Sequence, residues 1–105
     1  MEEINYVINQ TKQGVYFVLE NETLKDVAVK FNTTEKLLII QNGLTDQNVI
    51  GKALFIKSYK KVYTVNPNET LKNICEKFAV LPEVIQKINC IKDVYPGLRI
   101  ILEDE

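Results

Sequence analysis

Val15-Tyr16-Phe17-Val18-Leu19-Glu20-Asn21-Glu22-Thr23-Leu24-Lys25-Asp26-Val27-Ala28-Val29-Lys30-Phe31 returns 47 residues later as Val62-Tyr63-Thr64-Val65-Asn66-Pro67-Asn68-Glu69-Thr70-Leu71-Lys72-Asn73-Ile74-Cys75-Glu76-Lys77-Phe78. Carried on to Asn42 and Asn89, the alignment holds 11 identities in 28 positions: Val15, Tyr16, Val18, Asn21, Glu22, Thr23, Leu24, Lys25, Lys30, Phe31 and Asn42, each repeated at its partner. Self-similarity at a fixed period marks one structural unit used twice. The 105 residues therefore divide into two modules of about 42 residues, each near the lower limit for independent folding.

Within the repeat, Val-Tyr-Phe-Val and Val-Tyr-Thr-Val have the β-branched and aromatic content of short strands, with Tyr16 and Val18 on one face. Thr23 and Thr70 then offer hydroxyls as helix N-caps, and Asp26 and Asn73 fall in the first turn. Leu24, Val27, Ala28 and Phe31 follow helical spacing, as do Leu71, Ile74, Cys75 and Phe78, so one stripe of each helix faces a core. A second helix starts after Thr34, and in the other copy Pro82 occupies a first-turn position where a missing amide costs nothing. Asn42 and Asn89 close these helices. Loops through Gly51 and Pro96-Gly97 lead to apolar strands, Ala53-Leu54-Phe55-Ile56 and Arg99-Ile100-Ile101-Leu102.

The order predicts an α+β chain of two β-α-α-β modules, each with two helices on a two-stranded antiparallel sheet. We divide it into an N-terminal segment 1–14, module one at 15–57, a linker at 58–61 and module two at 62–105.

Composition narrows the function classes. Hydrophobic residues make up 46% and charged residues 26%, enough apolar material for compact cores. The net charge is −1 and the lysines are scattered, so no cationic stripe exists for a nucleic-acid backbone and no nucleic-acid partner is expected. No apolar run approaches the roughly 20 residues of a membrane span, and residues 1–14 lack the basic start and apolar block of a signal peptide. With no histidine and two cysteines, a catalytic triad and a Cys/His zinc site are excluded. We expect no metal, no cofactor and no catalytic residue.

Tyr16-x-Val18, Glu22-Thr23-Leu24, Val27-Ala28, Phe31, Asn42-x-Leu44 and Gly51-x-x-Leu54-x-Ile56 resemble the LysM family, the lysin-motif modules. So do their second copies: Tyr63-x-Val65, Glu69-Thr70-Leu71, Ile74-Cys75, Phe78, Asn89-x-Ile91 and Pro96-Gly97-x-x-Ile100-x-Leu102. The resemblance spans residues 15–102 and implies non-catalytic binding of N-acetylglucosamine-containing polysaccharide, of peptidoglycan or chitin type. It also implies a cell-wall or extracytoplasmic setting. Carried over position by position, one shallow groove would lie between Glu20, Asn21, Glu22, Thr23 and Leu24 and the facing Asn42, Gly43, Leu44 and Thr45. The other would lie between Pro67, Asn68, Glu69, Thr70 and Leu71 and the facing Asn89, Cys90, Ile91 and Lys92. Leu44 and Ile91 would meet the sugar's methyl and ring faces, and two weak grooves on one polymer would gain through effective concentration. Where the family usually has glycine before its acidic residue, this chain has Asn21 and Asn68, and Gln41 stands where an apolar residue is expected.

Three features admit a second reading. Glu20, Glu22 and Asp26 could form a carboxylate pair for glycoside hydrolysis, but no carboxylate is fixed opposite and charge favoured by a helix N-terminus explains them. Cys75 and Cys90 either form a disulfide within module two or stand as small buried thiols. Module one also has an apolar surplus: Phe17 and Phe55 alternate away from Tyr16 and Leu54, and Ile39 and Ile40 replace the polar Gln86 and Lys87 of module two. The cover for these side chains would be Ile4-Asn5-Tyr6-Val7-Ile8 as an added strand, module two, or another chain. The surplus supports the alternative function, a protein-protein scaffold or assembly module that keeps the fold without binding sugar.

Overall fold

The computed structural model describes residues 6–8, 13–46 and 48–103. The chain separates into two compact units, Met1–Tyr59 and Lys60–Glu105. In the first, β1 (Tyr6–Ile8) and β2 (Gln13–Phe17) precede α1 (Leu24–Lys30), α2 (Glu35–Asn42) and β3 (Ala53–Lys57). The second unit runs β4 (Lys61–Thr64), α3 (Leu71–Phe78), α4 (Pro82–Asn89) and β5 (Arg99–Glu103). The β-α-α-β order is present in both copies.

β2 pairs antiparallel with β3, Tyr16 opposite Leu54 and Val15 opposite Phe55, and β4 pairs with β5, Tyr63 opposite Ile100. Unit one differs from a two-stranded module in carrying β1 as a third strand, with Tyr6 opposite Tyr16 and Ile8 opposite Gly14. The strand expected from the alternation at Ile4–Ile8 therefore forms over Tyr6–Ile8, while Ile4 and Asn5 lie outside the described residues. It extends the sheet sideways next to β2 and pairs in plane with it. Phe17 and Phe55 remain exposed, as does Ile40, whereas Ile39 is partly buried against the core and does not belong to the surplus.

Capping chemistry starts the helices as the sequence indicates. The Thr23 hydroxyl accepts from the Asp26 N–H at 3.1 Å and the Asp26 carboxylate accepts from the Thr23 N–H at 3.0 Å, a reciprocal box. Thr70 and Asn73 repeat it at 3.1 and 3.0 Å. Thr34 accepts from the Leu37 N–H at the start of α2, while α4 begins at Pro82 after Leu81 with no side-chain cap bond. α2 ends on Gly43 with φ +59°, and α4 ends on Cys90 with φ +56°, so module two places a β-carbon in a left-handed cap.

The helical stripes close over the sheets. Tyr16, Val18, Leu24, Val27, Ala28, Leu38, Val49, Leu54 and Ile56 form the core of unit one. Val65, Ile74, Cys75, Ile85, Ile100 and Leu102 form that of unit two, with Leu71 and Phe78 partly buried around it. Both cysteines are free thiols, Cys75 buried and Cys90 exposed, so neither a disulfide nor a second buried thiol is present.

Candidate functional site

The loops after the first long strand and after the second helix meet at one end of each module, because backbone bonds stitch them. In unit one the Val18 N–H donates to the Lys52 carbonyl at 3.0 Å and the Gly51 N–H donates to the Val18 carbonyl at 3.1 Å. In unit two Val65, Leu98 and Gly97 repeat the stitch at 2.9 and 2.8 Å. Gly51 and Gly97 sit at φ +78° and +87°, a backbone that other residues rarely adopt and that turns the chain back into the final strand.

A half-buried carboxylate shapes the first loop in each copy. Glu22 accepts the Leu19 N–H at 2.9 Å and the Tyr16 hydroxyl at 2.6 Å, and its other oxygen lies 2.6 Å from the Lys30 ammonium. Lys30 also donates to the Tyr16 hydroxyl at 2.8 Å, and the Tyr16 ring packs edge-on to Phe31. Glu69 takes the same part in unit two, accepting the Asn66 N–H at 2.9 Å and the Tyr63 hydroxyl at 2.8 Å, with Lys77 at 3.1 Å and Tyr63 edge-on to Phe78. Asn66 adds a bond to the Tyr63 hydroxyl at 3.0 Å. The glutamates are thus loop clips rather than charges placed for the helix dipole, a role that Asp26 keeps.

The electrostatics follow from these contacts. Burial pushes the Glu22 carboxyl up, but hydrogen bonds from Lys30, Tyr16 and Leu19 outweigh it and hold the group below the usual carboxylate range. The Asn66 N–H, followed by Tyr63 and Lys77, lowers Glu69 against a smaller burial effect. Burial and then the Glu22 bond raise the Tyr16 phenol, and the bonds to Glu22 and Tyr16 raise Lys30. A carboxylate kept ionised in this way is a poor general acid, which needs a proton to give near neutral pH.

Asn42 and Asn89 behave as a second pair of clips. The Asn42 amide nitrogen donates to the Leu38 and Phe55 carbonyls at 2.9 and 3.0 Å, and its oxygen accepts from the Phe55 N–H at 2.7 Å. Asn89 repeats this with Ile85, Ile101 and the Ile101 N–H at 2.9, 2.9 and 2.6 Å. Each fastens the end of a helix to the middle of the last strand.

The remaining positions expected to line the grooves separate by burial. Leu24 lies in the core, and Leu44, Leu71 and Ile91 are partly buried against the cores. Glu20, Asn21, Thr23, Gly43 and Thr45 are exposed, as are Pro67, Asn68, Thr70, Cys90 and Lys92. Asn68 adopts the left-handed conformation, φ +65°, that the usual glycine would permit, whereas Asn21 is not among the residues of positive φ. Gln41, polar where an apolar residue was expected, donates to the Tyr59 hydroxyl at 3.1 Å. The Gln86 amide reaches the Lys92 carbonyl at 2.7 Å and holds the second loop of unit two.

Sequence reasoning left the lysines of the clips out of the site. Lys30 and Lys77 carried a signal, since both are repeat identities on the outer helix face, where packing alone does not demand a lysine. Among the described residues no group of His, Cys, Asp and Glu could hold a metal ion, and no helix is long and apolar enough to cross a membrane.

The pattern of the LysM domain family matches residues 16–55 and 63–102. Among solved structures the chain is similar to the spore cortex-lytic enzyme SleL of Bacillus megaterium QM B1551, with 25% identity and a TM-score of 0.47 over 87% of this chain and 22% of that one. SleL of Bacillus cereus aligns at 20% identity and a TM-score of 0.41, over 89% and 23%. The ectodomain of a receptor like kinase aligns at 18% identity and a TM-score of 0.36, over 88% and 56%. The chain spans less than a quarter of each SleL enzyme. A search of curated proteins gives no match.

Proposed function

From the premise that this chain belongs to the LysM family, we propose that it is a non-catalytic binder of N-acetylglucosamine-containing polysaccharide, peptidoglycan or chitin in type. LysM domains are in general glycan-binding modules, and they typically occur in extracellular or cell-wall proteins, the setting we propose here. The observation that carries the reading is the repeated loop pair: both modules stitch the strand-to-helix loop to the helix-to-strand loop and lock the first with a half-buried glutamate.

Such rigid loops present backbone amides and carbonyls to an acetamido group without an ordering cost. Exposed Asn21, Thr45, Asn68 and Lys92 supply polar contacts at the rim, while the half-buried Leu44 and Ile91 supply apolar surface beneath. The side chains of Asn42, Asn89, Glu22 and Glu69 contribute by shaping the groove. A shallow site with few buried contacts binds weakly.

Sedimentation with insoluble peptidoglycan and insoluble chitin tests the function. Depletion of the protein from the supernatant is expected, and the amides of residues 19–24, 43–45, 66–71 and 90–92 are expected to shift on titration with soluble N-acetylglucosamine oligomers. No sedimentation and no shift at millimolar oligomer would overturn the reading.

One observation favours the assembly role as a second reading. Val15, Phe17 and Phe55 are exposed on one face of the unit-one sheet, and Ile40 is exposed on α2. If a partner or a second copy covers this surface, replacing Phe17 and Phe55 by serine abolishes an association visible in solution mass. An unchanged mass and unchanged stability remove that reading.

A further inference from the structure

Tyr95 lies two residues before Gly97 on the turn that leads into β5, where the Gly97 N–H donates to the Val65 carbonyl at 2.8 Å and the Leu98 N–H donates to the Tyr95 carbonyl at 3.1 Å. In unit one, Gly51 donates to Val18 and the Lys52 N–H donates to the Val49 carbonyl, so Val49 is the structural counterpart of Tyr95. The two residues have opposite fates. Val49 is 1% exposed within its core, and Tyr95 is 62% exposed.

The cause is chain length. Asn42 to Gly51 spans one residue more than Asn89 to Gly97. In the shorter loop Val94 takes the place against the core, together with Leu98, and Tyr95 is turned outward. The Gly97 bond holds the turn that carries Tyr95 against Val65, where the strand-to-helix loop of module two begins. In that loop Pro67 takes the repeat position that in unit one is the acidic Glu20. Module two therefore offers an exposed aromatic ring and a proline where module one offers a charge and a buried valine.

We infer that Tyr95 is the stacking platform of module two, packing its ring on the apolar face of an N-acetylglucosamine pyranose and making this module the tighter of the two sites. This rests on the glycan-binding reading above. An aromatic ring is a large, rigid contact surface and loses little conformational entropy when it binds. Sugar hydroxyls lie around the pyranose rim and leave its C–H face to meet such a ring.

The experiment compares the intact chain with Tyr95→Ala and Tyr95→Phe, using the β-1,4-linked tetramer of N-acetylglucosamine as probe, with affinity and amide shifts read by NMR. The expected result is a loss of about tenfold in affinity for Tyr95→Ala and less than about twofold for Tyr95→Phe. Sugar protons should move upfield through the ring current, and the largest amide shifts should fall within residues 65–71 and 90–97. Because Tyr95 is exposed, the alanine variant should keep its unfolding midpoint. Tetramer binding that is unchanged in Tyr95→Ala overturns this inference and leaves the glycan reading standing, whereas an equal loss in both variants overturns stacking in favour of a hydroxyl contact. Absence of binding to the unaltered chain overturns the glycan reading and this inference with it.

Discussion

Replacing Asn89 by alanine separates a structural role from a binding role for the last residue of α4. Asn89 is 3% exposed, and its amide group makes three hydrogen bonds, two of them with the N–H and carbonyl of Ile101, itself fully buried. Alanine leaves both backbone groups of Ile101 without that partner inside the protein, and each buried unsatisfied group costs about 1–3 kcal/mol. Taking the middle of that range gives a loss of about 4 kcal/mol. A unit the size of Lys60–Glu105 has a total stability of only about 2–7 kcal/mol, so the variant should be largely unfolded in module two at room temperature. Denaturation followed by tyrosine fluorescence measures the loss, and hydrogen exchange at the Ile101 amide localises it. Asn42→Ala is the comparison: it breaks the same three bonds around the 39% exposed Phe55, where water can replace them, and should cost about 1 kcal/mol. If Asn89→Ala folds with unchanged stability and loses only sugar affinity, the clip argument is wrong.

Other outcomes follow from the same contacts. Glu22→Gln should destabilise unit one by about 2 kcal/mol and Tyr16→Phe by about 1 kcal/mol, with a double mutant less destabilised than the sum because both act on one bond; the Lys30 ion pair adds little, since that side chain is 36% exposed. The carboxyls of Glu22, Asp26 and Glu69 are lowered in the fold, so the unfolded chain binds more protons in acid, and stability should fall as pH drops below about 4. Tyr16, Lys30 and Lys77 are raised, so their contribution is complete at neutral pH and should fade above about pH 10, giving a thermal midpoint that is flat between these limits. Cys90→Gly should stabilise module two by about 0.5–1 kcal/mol by relieving a left-handed cap, and Gly43→Ala should destabilise module one by a similar amount although the new β-carbon meets open space, both read by chemical denaturation.

Local chemistry made most of the fold readable. Thr23, Thr70, Thr34 and Pro82 act within three residues of themselves, and the helical stripe and strand alternation report burial directly, so helix starts and core faces could be placed without coordinates. Asn42 and Asn89 show where that stops. Their repetition marked them as needed, but their partners Phe55 and Ile101 lie 12 or 13 residues away in a strand, and no propensity says which backbone groups a side chain will reach. Glu22 reads from the sequence as a helix charge and Glu69 as a groove position for the same reason: their partners Tyr16, Lys30, Tyr63 and Lys77 become neighbours only after the sheet and helix pack. The exposure of Tyr95 depends on a single-residue difference in loop length, and the sequence showed that difference without showing which of Val94 and Tyr95 would turn inward.

The asparagine clips have a further consequence for how so small an α+β protein stays apart from its own copies. The carboxamide of Asn42 or Asn89 offers one donor and one acceptor in the spacing of a peptide group, and it engages the N–H and C=O of Phe55 or Ile101 on the side away from the paired strand. In effect each clip imitates one residue of an additional strand and terminates the outer rim of its sheet. An open rim is a template for edge-to-edge growth into fibres. In β3 and β5 the central rung of that template is already taken by the chain's own helix.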